Sequence, residues 1–205
     1  NDNPLPAGAE MYIYSSNGDD VRGPYTAAGY ALGQLWTPVI HGSEAVIEVT
    51  LPAAVRDQLE LRLTRVNHGF LEFWKAGAVE KSGSCNVDVA CPQGDGWRDD
   101  IRAVARYTIG GQFLCSGQLV NNTRLDFTPY FLTAHHCVGT AEEAASTVYY
   151  WNYQASGCGS GGGSLSQSQS GASLVATYEP SDFTLMQLAQ KPDSTYKVYY
   201  SGWSY

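Results

Sequence analysis

The strongest constraint on the fold is a period of two. In Val46-Ile47-Glu48-Val49-Thr50-Leu51 and Leu59-Glu60-Leu61-Arg62-Leu63-Thr64-Arg65-Val66 apolar and polar residues alternate. An extended chain sends alternate side chains to opposite faces, so each segment reads as a strand with one buried face. Residues 11–14 and 69–74 read as further strands. Between them Asn17-Gly18-Asp19-Asp20, Arg22-Gly23-Pro24 and His41-Gly42-Ser43 are turn-rich. Residues 1 to about 75 are therefore expected to form a small antiparallel β domain, and no long helical pattern is evident.

Lys75 to Gly83 is polar and poor in bulky apolar residues, which predicts an exposed connection and a domain boundary. Beyond it, residues 101–107, 113–120, 130–133, 148–153 and 174–178 are rich in β-branched and aromatic residues and read as strands. Residues 140–146 suit a helical turn, with Glu142 and Glu143 near its start. Residues 157–171, loaded with Gly, Ser and Gln around Cys158, read as a long surface loop of the same domain. The aromatic run Tyr149-Tyr150-Trp151 is assigned to strand packing rather than to sugar binding.

Five cysteines, Cys85, Cys91, Cys115, Cys137 and Cys158, all fall in the second part of the chain. No C-x-x-C pair is present, so disulfides explain them better than zinc does, and disulfides imply an oxidising compartment. The odd count leaves one thiol free or paired outside these residues. The net charge of −8 is shared, since 1–81 and 82–205 each carry 6 basic and 10 acidic residues, and neither part is built for nucleic acid. No apolar run reaches the roughly 18 to 20 residues that span a bilayer, and residues 1–10 do not read as a signal peptide.

Chemistry is suggested by Leu132-Thr133-Ala134-His135-His136-Cys137 and by Ser181-Asp182-Phe183-Thr184-Leu185. A serine hydrolase needs a base and a carboxylate that fixes the imidazole tautomer, and His136 and Asp182 fit these roles. Asp182, next to an apolar run, is expected at the start of a buried strand and shielded from water. His135 and His136 are poor joint metal ligands, because adjacent strand residues point to opposite faces. His41 and His68 read as structural or turn histidines. After Asp182 no Gly-x-Ser-Gly-type segment follows that could supply a nucleophile.

Several long motifs occur in order: Ser82-Gly83-Ser84-Cys85-Asn86-Val87-Asp88-Val89-Ala90-Cys91-Pro92, then Gly94-Asp95-Gly96, Ser116-Gly117-Gln118-Leu119-Val120-Asn121-Asn122-Thr123, residues 130–137, and Tyr150-Trp151-Asn152-Tyr153-Gln154. With them, residues 82–205 closely resemble the bacterial lysyl endopeptidases of the trypsin-like superfamily. The resemblance implies an all-β chain: a small β-sandwich-like N-terminal domain, 1–81, followed by the first β-barrel of a trypsin-like double-barrel protease, 82–205, with the second barrel missing. It makes His136 the general base and Asp182 its orienting carboxylate, with His135 a bystander. It pairs Cys115 with Cys137 and Cys91 with Cys158, and gives Cys85 a partner in the absent barrel.

A weaker likeness in residues 33–52 and 66–70 makes the N-terminal domain a pro-region, with an accessory β domain as the alternative. Cleavage is expected between Lys81 and Ser82. The function expected is that of a secreted, extracellular serine endopeptidase with lysine preference, here a fragment without its nucleophile. No metal or organic cofactor is implied. Partners are protein or peptide substrates, with no nucleic acid and no membrane, and the chain is expected to be a monomer. The alternative is a secreted β-domain binding protein with a protease-like barrel and no catalysis.

Overall fold

The period-two pattern becomes strand at one of its two sites and not at the other. The computed structural model describes residues 5–69 and 86–203. In it β1 (Glu10–Ser15) lies between β2 (Val21–Tyr25) and β3 (Ala45–Thr50) in an antiparallel sheet. Leu5, Ala9, Met11 and Ile13 are buried against Tyr25, Tyr30, Leu35, Ile40, Val49, Leu51 and Leu59. Residues 59–66, expected as a strand, form none, and Leu63 and Val66 are 68% and 77% exposed. Their polar neighbours make side-chain contacts instead: the Arg65 guanidinium lies 5.4 Å from the Trp36 ring centroid of the same region, and Asn67 Nδ2 donates at 2.8 Å to the carbonyl of Gly110, which follows residues 104–109.

Arg22-Gly23-Pro24, expected as a turn, lies within β2. The strand comes so close to β1 that a Cβ on Gly23 would stand 2.7 Å from Met11 O, and glycine's freedom at φ 126° permits this. The register between the two strands shifts there. Turn-type residues thus mark a bulged strand rather than its end. His41 is a turn histidine: its backbone N–H and its Nδ1 both reach Asp20 Oδ2, at 2.9 and 2.6 Å.

The second sheet contains β4 (Val104–Ile109), β5 (Phe113–Val120), β6 (Tyr130–Thr133), β7 (Thr147–Trp151), β8 (Ser168–Ser170), β9 (Ala172–Tyr178) and β10 (Phe183–Leu188). All pairs are antiparallel, in the order β8-β7-β4-β5-β6-β10-β9. The first and last strands of this order, β8 and β9, are separated in sequence by Gly171 alone, so the sheet must curl until its edges meet. Gly171 N donates to Thr147 O at 2.8 Å and its carbonyl accepts from Ala189 N at 3.0 Å, joining both edges of the curl. The architecture is all-β.

Inside the curl, Tyr107, Phe131, Tyr149 and Trp151 are fully buried with Leu119, Met186, Leu188 and Val138. Phe131 meets Tyr149 edge-on at 4.8 Å between centroids, and Tyr149 stacks on Trp151 at 6.3 Å. Period two sends Val148 and Tyr150 the other way, yet these are buried too, under Trp36, Val39, Tyr153 and Leu165. The first region therefore covers the outer face of β7.

Residues 101–103, expected as strand, instead end α1 (Arg98–Ala103). Asp99 and Asp100 in its first turn and Arg102 in its last complement the helix dipole, and Arg102 pairs with Asp99. A second short helix, α2 (Ala141–Ala145), fills the expected helical turn, with a capping box between Thr140 and Glu143. The expected loop 157–171 buries Leu165 and ends in β8. Residues 70–74 of an expected strand, the whole connection 75–83 with Lys81 and Ser82, and Cys85 lie outside the described residues. No described helix is long and apolar enough to cross a membrane.

Candidate active site

β6 and β10 are neighbours with Thr133 opposite Thr184, so the chain leaving β6 and the chain entering β10 emerge side by side. Past β6 a tight turn follows, in which the N–H groups of Cys137 and Val138 both donate to Ala134 O at 3.2 Å. Asp182 stands between a 3-10 turn (Glu179–Ser181) and β10, in the left-handed region at φ 51°, which Asp tolerates better than most residues. These two turns bring His136 and Asp182 together across 46 positions of sequence.

Asp182 grips His136 twice. The backbone N–H of His136 donates to Oδ1 at 2.9 Å, and Nδ1 lies 2.7 Å from Oδ2. A carboxylate can only accept, so Nδ1 carries the proton and Nε2 is left with its lone pair. The donated backbone N–H, followed by the imidazole hydrogen bond and the histidine charges, holds the Asp182 carboxyl below the usual carboxylate range. A base of fixed tautomer results, able to take a proton at Nε2 and to be stabilised once charged.

The expectation that Asp182 is shielded is corrected here. Its side chain is 50% exposed and that of His136 71%. Burial along β10 begins at Thr184, two residues later. His135, His136, Gly139, Thr140, Glu143, Glu179 and Asp182 line an open groove of about 520 Å³.

Cys115 on β5 is bonded to Cys137, with Cα atoms 6.3 Å apart, which fixes the residue after His136 to a central strand. Cys91 is bonded to Cys158, with Cα atoms 4.4 Å apart. Cys115, His136 and Cys137 lie within 4.8 Å of one another at their ligand atoms. With the sulfurs joined to each other no thiolate remains, and the cluster does not suit a metal ion. Among the described residues no other group of three such ligands comes together.

Three residues at the site were given no part in it by the sequence. Glu143 Oε2 accepts from the N–H groups of Gly139 and Thr140 at 2.8 and 3.0 Å, tying α2 to the turn of His136. Thr177 and Thr184 join β9 and β10 below Asp182 through their hydroxyls, 2.6 Å apart. The available signal was a polar residue in an inward position, Thr184 in Phe183-Thr184-Leu185-Met186, which once buried requires a hydrogen-bond partner.

Comparison with known proteins adds the family. Residues 79–205 match the family described as the lysyl endopeptidase C-terminal domain. The whole chain is similar to the lysyl endopeptidase of Pseudomonas aeruginosa, at 30% identity over 97% of this chain and 44% of that protein. The chain thus spans less than half the length of this relative. It belongs to the lysyl endopeptidase family.

Proposed function

We propose that this member of the lysyl endopeptidase family takes part in serine-type hydrolysis of peptide bonds, with His136 as general base and Asp182 as its orienting carboxylate. One observation carries the reading: Nδ1 of His136 is bound to Asp182 Oδ2 at 2.7 Å while its backbone N–H binds Oδ1. That leaves Nε2 as the proton acceptor. The nucleophile in this reading is a serine from sequence outside these 205 residues.

The steps follow from that assignment. Nε2 takes the serine hydroxyl proton as the oxygen bonds to the peptide carbonyl carbon, and the imidazolium is stabilised by Asp182. The same proton then passes to the departing amine as the C–N bond breaks, leaving an acyl enzyme. Water repeats the sequence, giving its proton to Nε2 and its oxygen to the acyl carbon, and serine is regenerated.

Preference for lysine is supported by the name of the relative. Secretion is supported by two disulfides, which persist in oxidising compartments. A pro-region 1–81 cleaved from a protease part at Lys81–Ser82 is supported by the start of the family match at residue 79. Protein or peptide substrates and a monomeric state complete the reading.

The test is made on the full-length parent protein. It should cleave peptides after lysine in preference to arginine, and His136→Ala should lower kcat/KM by about 10⁴-fold or more. Undiminished turnover in that variant would refute the assignment. Amino-terminal sequencing of the processed protein places the cut, and Lys81→Ala should block it; a cut after a non-basic residue would remove self-processing from the proposal.

A further inference from the structure

The turns of His136 and Asp182 are joined by more than their own contact. Thr177 and Thr184 stand opposite each other at the neck of the β9–β10 turn, with hydroxyls 2.6 Å apart. Thr184 is fully buried, and its hydroxyl lies 2.6 Å from the carbonyl of Val138, in the segment that follows His136. His135 Nδ1 lies 2.7 Å from Thr177 Oγ1. His135 also packs on Gly139, where a Cβ would stand 3.0 Å from its Cε1.

The direction of each bond can be worked out. A carbonyl only accepts, so the Thr184 proton is committed to Val138 O. The single proton of Thr177 then goes to its two remaining acceptors, the Thr184 hydroxyl at 2.6 Å and, more weakly, the Phe183 carbonyl at 3.2 Å. With its proton spent, Thr177 Oγ1 can only accept from His135, so His135 Nδ1 carries hydrogen. The chain reads His135 Nδ1–H to Thr177, Thr177 to Thr184, and Thr184 to Val138 O. It crosses from the His136 turn to the Asp182 turn and back.

We infer that His135 is a positioning residue, which clamps the turn of His136 to the turn of Asp182 through Thr177 and Thr184. The inference rests on the proposed function for its catalytic consequence, and on geometry alone for the clamp. Protonation of His135 adds hydrogen at Nε2 and leaves the Nδ1–H donor in place, so the clamp holds in both charge states. Its importance lies in where it runs: it ties the segment that follows His136 to the two strands that flank Asp182, so the alignment of the pair depends on how well the two turns are held. Catalytic groups need placement to about half an ångström.

The experiment compares variants of the full-length parent protein. His135→Leu and Thr177→Val should each lower kcat roughly 10- to 100-fold with KM within about twofold, the effect of misplacing a base by a fraction of an ångström to an ångström. The acid limb of kcat/KM should move to lower pH, because a loosened carboxylate stabilises the imidazolium less. Thr177→Ser and His135→Asn, which keep the acceptor and a donor at the Nδ1 position, should restore most of kcat. The double variant should be no worse than the poorer single one, since both break one chain.

Unchanged kcat in both single variants, with His136→Ala inactive, would overturn the inference. So would a loss that scales the whole pH profile without moving its acid limb, or losses that multiply in the double variant. Ring-¹⁵N NMR keeps this separate from the function: His135 should appear as the Nδ1–H tautomer, and Thr177→Val should abolish that preference. If His136→Ala retained turnover, the proposed function would fail, and the NMR result would still decide the clamp.

Discussion

At the scale of single residues, hydrogen-bond donors fix both tautomers and charges. Asp182→Asn in the parent protein replaces an acceptor-only carboxylate by an amide that can turn a donor toward Nδ1. The wrong tautomer of His136 then competes, and kcat should fall about 10⁴-fold with KM little changed. Asp126 offers a test of charge without catalysis. Its carboxylate accepts from the Thr128 hydroxyl, Asn122 Nδ2 and the Thr128 N–H, which hold its pKa well below the usual range. A depressed folded pKa means that the stabilisation is complete above the unfolded value of about 3.9 and is lost as pH falls below it. Acid unfolding followed by circular dichroism should therefore show a shallower pH slope below pH 4 in Asp126→Asn than in the parental chain. His136 and Asp182 were readable from local sequence because both sit in short motifs; their exposure was not, because it depends on what packs above the turns.

At the scale of elements, closure of the curl depends on Gly171. It adopts φ 78°, and a Cβ would stand 3.3 Å from that of Ala31 and 3.6 Å from that of Ala189. Gly171→Val should cost roughly 1 to 3 kcal/mol in denaturant unfolding, from left-handed strain in a β-branched residue and from crowding. Thr140→Ala removes the cap acceptor from Glu143 N, and should cost about 1 kcal/mol while loosening the turn of His136 that Glu143 ties to α2. Residues 113–120 and 130–133 were legible as strands because their composition and their pairing agree. Residues 59–66 were not, since alternation describes only where side chains point and a strand also needs a partner along its edge.

At the scale of the whole molecule, two disulfides tie the second region to itself, and one covered strand joins the first region to it. Replacing Cys115 and Cys137 by serine removes a link across 22 positions, and should lower stability by roughly 3 kcal/mol on the loop-entropy account. Trp36→Ala tests the contact between the regions. Trp36 and Val39 lie over Val148, Tyr150 and Leu165, and Val39 N donates to the Tyr150 hydroxyl at 3.3 Å. Truncating the indole should speed proteolytic loss of residues 5–69, read by mass spectrometry, and expose the outer face of β7 to a hydrophobic dye. By itself the sequence determined an all-β fold, most strand positions in residues 113–188, and the two short motifs whose His136 and Asp182 the structure brings into contact, because strand periodicity and short motifs are local patterns. Only the tertiary structure decided that β7 is buried on both faces, that residues 59–67 make contact through Arg65 and Asn67 rather than as a strand, and that Thr177 and Thr184 lace the two turns. Those outcomes depend on which surfaces meet, and contacts between residues far apart in sequence leave no periodic trace along the chain.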